Sequence, residues 1–440
     1  MRTLGAFVVM STLACNAAAP SPSPPEASSP PRSASPSAVA NAPAPTTSAA
    51  PTPAPAPTPQ GPVTFEDEVA FLKQHGDVRV LKSASGGQIA VSPSYQGRVM
   101  TSAVDPKGLS LGYVNRKFIA EGKTGTQFDN YGGEDRFWLG PEAGQYGLYF
   151  PKGKPFSIEH WKTPDSLQTG AWAVKEETPQ LIKLEQAMKV DNYSGQSFDL
   201  KVTRSVRLLD PMMAAKYLES KAVLATKAQW IAFETHNVVT NTGKTKWTKD
   251  KGLLSVWILG MYNPSSDTRV VIPFDATAKG EIVNDRYFGK VPADRLTIDE
   301  KAEVIFFSAD GNHRSKIGLG PARAKSVAGS YSPSAKLLTI VHYSGPKKGG
   351  DYVNSMWETQ KEPYKGDVLN SYNDGPVEPG KPALGGFYEL ESSSHAPELA
   401  PGATLEHGHR TYHFVGEPAE LEPIAKGVLG VTLAQITGKP

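Results

Sequence analysis

Cysteine is almost absent: Cys15 is the only one in 440 residues. No intramolecular disulfide can form, so any fold must rest on burial, which a chain of this length can supply. Charge of one sign is also scarce. The 46 basic residues face 44 acidic ones, for a net charge of +2. That balance leaves no electrostatic footprint for nucleic acid. Beyond the first residues, no run is long and apolar enough to cross a membrane as a helix. A Gly-x-Ser-x-Gly elbow, a phosphate-binding P-loop and a dinucleotide fingerprint are all missing, which gives no support to a serine triad or to nucleotide binding.

What is present begins with a signal. Arg2 precedes the apolar run Leu4–Met10, and small residues close it before Cys15. The pattern predicts a secretory segment, too short to be a transmembrane helix. A lone cysteine there resembles the bacterial lipobox, whose thiol is lipidated and becomes the new N-terminus, although Leu13 stands two places before Cys15 instead of three. Cleavage after Ala17-Ala18-Ala19, discarding Cys15, is the alternative. Under the first reading, acyl chains contributing about 0.8 kcal/mol per buried methylene hold the protein on a membrane. Asn16, in place of a retaining Asp, favours the outer membrane of the cell envelope. Residues 16–62 are nearly all Pro, Ala, Ser and Thr, with Arg32 the only basic side chain. Such a stretch cannot offset its ordering entropy, and the expectation is a disordered tether reaching on the order of 100 Å at about 3.1 Å per residue. It serves as a stalk or as a plain spacer.

The third segment, 63–440, carries the folded domain. Thr64-Phe65-Glu66-Asp67 reads as a variant capping box, and Phe65, Val69 and Leu72 recur at helical spacing, predicting a helix over 64–75 that ends near Gly76. From there the period is two. Ile89 and Val91 alternate with their neighbours, and Leu338, Ile340 and His342 oppose Leu337, Thr339 and Val341. Leu253–Tyr262 is continuously apolar, as a strand buried on both faces is. Val304–Phe307 and Tyr412–Val415 are further strands, and 418–427 is the last helical pattern. Many short strands with few helices predict a mainly β, large antiparallel sandwich. No internal repeat is visible.

Four blocks concentrate polar, aromatic and glycine residues: 129–142, 284–289, 366–376 and 386–397. In the first, Glu134, Asp135, Arg136 and Trp138 offer what sugar recognition needs, charged groups for hydroxyls and a ring for the apolar face of a pyranose. Asn373 and Asp374 could contact hydroxyls too, but Asn-Asp-Gly is also a turn sequence. An ion pair between Glu134 and Arg136 is the structural alternative in the first block. Glu389 and Glu391, two apart, share one face of a strand, with Phe387 beside them to raise a carboxyl pKa; a solvated sheet edge is the competing reading. His407, His409 and His413 also share a parity, but three histidines without a carboxylate partner are a weak metal motif, and no metal site is expected of them. Oxygen-rich loops at Asp129 and Asp374 are the donor type that Ca²⁺ takes, the only cofactor the sequence suggests.

These blocks resemble an uncharacterised family of exported bacterial proteins across 63–430. The resemblance rests on GGEDRFWLGPE at 132–142, LGMYNP at 259–264, VNDRYFGKVP at 283–292, RSKIGL at 314–319 and GDVLNSYNDGP at 366–376. More distantly, the chain is similar to the galactose mutarotase-like superfamily, whose fold is a β-supersandwich. Thr240-Asn241-Thr242-Gly243 ahead of an apolar strand carries that link. So does the order Tyr388-Glu389-Leu390-Glu391-Ser392, Leu399-Ala400-Pro401-Gly402, terminal strand. The resemblance implies a saccharide ligand and a catalytic base at Glu391. Where it places the acid histidine this chain has Trp257, leaving His160, His236 and His395 as substitutes. Two functions follow as expectations: a surface lipoprotein that binds or processes a carbohydrate with epimerase-like acid/base chemistry, or a non-catalytic glycan-binding or envelope-interaction lipoprotein.

Overall fold

A computed structural model describes residues 63–378 and 380–438. The signal, Cys15 and the 16–62 tether lie outside the described residues.

Helix α1 (Phe65–His75) forms where the sequence predicts it: the Thr64 hydroxyl accepts from the Asp67 N–H, and Phe65, Glu68 and Leu72 are its buried face. Strands β1 (Arg79–Lys82), β2 (Gln88–Ser92) and β3 (Arg98–Ala103) make a small antiparallel sheet. After α2 (Arg116–Glu121) comes β4 (Arg136–Gly140). Four strands then run in succession: β5 (Ala173–Thr178), β6 (Leu181–Asp191), β7 (Ser197–Leu208) and, past α3 (Pro211–Tyr217) and α4 (Ala222–Ala225), β8 (Gln229–Asn241). The chain continues through β9 (Ser255–Tyr262), β10 (Arg269–Pro273), β11 (Leu296–Asp299), β12 (Val304–Ser308) and β13 (Ser315–Leu319). It finishes with β14 (Val327–Ser332), β15 (Leu337–Tyr343), β16 (Leu369–Asn373), β17 (Tyr388–Ser393) and β18 (Thr404–Val415), then α5 (Pro418–Ile424) and α6 (Leu433–Thr437).

Two large antiparallel sheets result. Ten strands run in the order β11-β12-β10-β14-β15-β18-β8-β7-β6-β5, and five in the order β13-β16-β17-β9-β4. They pack face to face. Phe137 and Leu139 of β4 and Ile258 of β9 share one core with Ile182, Leu184 and Val202 of the large sheet. Ile317, Leu369 and Leu390 share another with Val270, Ile272 and Val341. The other face of the large sheet carries Tyr412, Phe414, Leu338 and Ile340, covered by residues of α3, α4, α5 and α6. Strand β9 is buried at all eight positions, as its unbroken apolar run requires, because the outer face of the five-stranded sheet is covered as well. The helix expected over 418–427 is α5 followed by one π turn, Ala425–Leu429. Helix α6 follows from its own capping box, Thr432 with Gln435. Among the described residues no helix is long and apolar enough to cross a membrane.

Candidate functional site

Alternation in the five-stranded sheet divides each strand between core and outer face. Cross-strand register places Arg136, Leu259, Glu391 and Asn370 in one row, and Met261, Glu389, Tyr372 and Lys316 in the next. Trp138 lies opposite Trp257. Above these rows is a cavity of about 490 Å³, closed by segments around Phe128, Trp161, Phe288 and Trp357 and by residues 381–387.

Two diagonal ion pairs cross its floor. Arg136 Nη2 reaches over β9 to donate to Glu389 Oε1 at 2.7 Å. Lys316 Nζ reaches over β16 to donate to Glu391 Oε2 at 2.8 Å, and Trp257 Nε1 donates to the same oxygen at 2.8 Å. The guanidinium of Arg136 lies 4.1 Å from the Trp138 ring centre and 5.2 Å from that of Phe128. Its Nε and Nη1 have no partner, and neither has Glu391 Oε1. Burial pushes the Glu389 carboxyl up to about 8 against the pull of Arg136, with Glu391 adding to the rise. Burial also raises Glu142, whose Oε1 accepts from Trp161 Nε1. Lys316 is held above the usual lysine value: burial works against its charge, and Glu391 and Glu142 more than offset that. Four tryptophans (138, 161, 257 and 357) line the cavity with Phe387, an apolar wall above a charged floor.

The structure separates the residues singled out in the sequence. Arg136 and Trp138 line the cavity. Glu391 is fully buried beneath it, while Glu389, one step along the same face, lines it. Glu134 and Asp135 do not reach it. Glu134 accepts from Ser102 Oγ and His413 Nε2 between the sheets, and Asp135 pairs with Arg204 at 2.6 Å, all five groups being buried. The reason is local. Strand β4 starts at Arg136, and Gly132 and Gly133 just upstream have φ of +86° and +117°, so strand parity does not extend back to Glu134. A Cβ on Gly132 would stand 2.2 Å from the Tyr113 carbonyl oxygen. Gly132→Ala is therefore expected to cost about 2 kcal/mol or more, read as a shift in urea midpoint.

Asn373 and Asp374 also act on the protein itself. Asn373 accepts from Gly311 N–H and donates to the His313 carbonyl, fixing the turn before β13. Asp374 accepts from the Tyr372 hydroxyl and from the N–H groups of Gly385 and Gly386, pinning the cavity's rim. These donors, like the three that Gly125 and Thr126 aim at Asp129, occupy the oxygens a Ca²⁺ ion would need, so neither loop fits that ion. His407, His409 and His413 share a face of β18, but that face is the inter-sheet core. His407 Nε2 and His409 Nδ1 share Ser392 Oγ, and His413 goes to Thr339 and Glu134. Among the described residues no three His, Cys, Asp or Glu groups are placed for a metal ion. None of His160, His236 and His395 lines the cavity.

The sequence reading did not pick out Glu142, Lys316 or Arg314 as site residues. The signal was there: Lys316 and Arg314 stand two apart in RSKIGL, and Glu142 ends GGEDRFWLGPE.

Residues 63–439 match a protein family described as a family of unknown function, DUF6786. No curated protein matches the sequence. Among solved structures, the chain is similar to a candidate aldose 1-epimerase from Escherichia coli K12, at 14% identity and a TM-score of 0.47, covering 77% of this chain and 98% of that one. It is also similar to a galactose mutarotase related enzyme from Lactobacillus acidophilus, at 10% identity and a TM-score of 0.42, covering 77% and 98%. A GalM/aldose epimerase homologue from C. elegans matches at 12% identity and a TM-score of 0.41, covering 77% and 100%. The likeness is loose, and the sandwich described above stands on its own strand pairing.

Proposed function

We propose that this chain, which belongs to the family of unknown function DUF6786, holds a saccharide in the cavity on the outer face of its five-stranded sheet. One observation carries the reading. A buried guanidinium with unused N–H donors and two carboxyls, Glu389 and Glu391, lies under a wall of tryptophan rings. Rings stack on the apolar face of a pyranose, the guanidinium donates directed hydrogen bonds to its hydroxyl oxygens, and the carboxyls accept from its hydroxyls. In this reading the carboxyls also move protons. Glu389, protonated near neutral pH, protonates the ring oxygen, while Glu391 takes the proton of the anomeric hydroxyl. The bond from the anomeric carbon to the ring oxygen opens as the carbonyl forms, and no proton is gained or lost overall. The proposal includes export and anchoring through Cys15, with the 16–62 segment as tether.

A second reading, a non-catalytic glycan-binding lipoprotein, draws support from Glu391. Its Oε2 already accepts from both Lys316 and Trp257. Glu391→Gln separates the two. An acid/base enzyme loses turnover by about 10²–10⁴-fold and keeps saccharide affinity. A binder has no turnover to lose and shows only an altered dissociation constant. Tryptophan fluorescence during titration with mono- and oligosaccharides reads affinity in both cases, and a flat response to every sugar would defeat both.

A further inference from the structure

One cation of the cavity lacks a carboxylate partner. Arg136 and Lys316 have carboxylate partners in Glu389 and Glu391. Arg314 also lines the cavity and, among the described residues, has no carboxylate within ion-pair distance. Its guanidinium lies 3.7 Å from the centre of the Phe288 ring and 5.9 Å from that of Trp357, and its Nε is buried without a partner. A guanidinium held against an aromatic ring loses little entropy when it binds a planar or tetrahedral anionic group. Lys381 adds another cation at the rim.

Arg314 is also held in place. Asn373 donates to the His313 carbonyl, Ser315 Oγ donates to that same oxygen, and Gly375 packs so closely on the Arg314 backbone that a Cβ there would stand 2.4 Å from its nitrogen. Asn373 and Gly375 of the NSYNDGP block thus build the shelf that presents this cation.

Resting on the saccharide reading above, we infer that the ligand is an acidic saccharide, whose carboxylate, sulfate or phosphate group pairs with Arg314 while the sugar ring lies against the tryptophans.

The test is calorimetric titration of the full chain with matched sugars: a neutral hexose oligomer, its hexuronate counterpart, and sulfated and phosphorylated counterparts. At least one acidic sugar is expected to bind about tenfold tighter than the neutral one, and the member that does so identifies the anionic group. Arg314→Gln is expected to bring that ratio to about one. Arg314→Lys, which keeps the charge but not the fork, leaves part of it and guards against a folding defect in the first variant. Neutral sugar binding as tightly as every acidic one overturns this inference and leaves the saccharide reading standing. Failure of all of them to bind defeats both.

Discussion

Asp135→Ala is expected to remove about 3–5 kcal/mol of stability, measured as a fall in the urea midpoint at constant slope. Asp135 and Arg204 are both fully buried and 2.6 Å apart. Arg204 also donates to Asn237 Oδ1 and the Gly97 carbonyl, and Thr235 donates to the second oxygen of Asp135. Truncating the aspartate leaves a cation in the core without its counter-charge, together with an orphaned hydroxyl. The loss belongs to breaking the pair and is not a measure of its net worth, since two buried charges also pay desolvation. Adding Arg204→Met should therefore recover part of it, and a double variant no better than the single one would contradict this account.

Acid affects the histidines of β18 in a definite direction. Burial, with Arg410 and the neighbouring imidazoles contributing, lowers His407 to about 3; burial, with Arg410 and Arg204 contributing, lowers His409 to about 3. Both are neutral in the folded protein, whereas an unfolded chain protonates them near 6.5. The unfolded state binds more protons as pH falls, so their contribution is full above about pH 6.5 and declines steadily towards pH 3. At pH 5 each costs about 2 kcal/mol. Glu68 and Glu389 act in the opposite sense. Burial raises them to about 7 and about 8, so they weaken the fold as pH climbs from the ordinary carboxyl range. The wild-type profile mixes the two and is the wrong observable. The comparison that isolates the imidazole is His409→Gln against wild type, by urea unfolding at pH 7 and pH 5. The variant should lose about 2 kcal/mol less over that interval, and parallel losses would place the proton elsewhere.

Much of the framework was legible because local pattern sets it. The N-cap of α1 at Thr64, the unbroken apolar run of β9 and the alternation through β15 all survive tertiary context. The common face of Glu389, Glu391 and Phe387 was legible as well, since parity within a strand needs no partner. What pattern could not give was which side of the sheet faces a cavity and which partner claims each charge. Asp135 meets an arginine 69 residues away, a partner that nothing local names. Strand β7 held a clue: its inward series Phe198, Leu200, Val202, Arg204, Val206 puts a guanidinium in a core position. A buried arginine requires an anion, and the acidic pair Glu134 and Asp135 is one supply of it. His407, His409 and His413 share a parity for the same reason, but the sheet they face is invisible from β18 alone.

The two-faced strands of the smaller sheet have a consequence for how this protein can diverge. Along β17, alternate codons carry different obligations: Glu389 answers to whatever occupies the hollow, Leu390 to the hydrophobic interior. Neighbouring mutations are thus filtered by unrelated selective pressures. A lineage can retune its chemistry at every second position while the intervening ones stay fixed by folding, and the scaffold need not change for the ligand to do so.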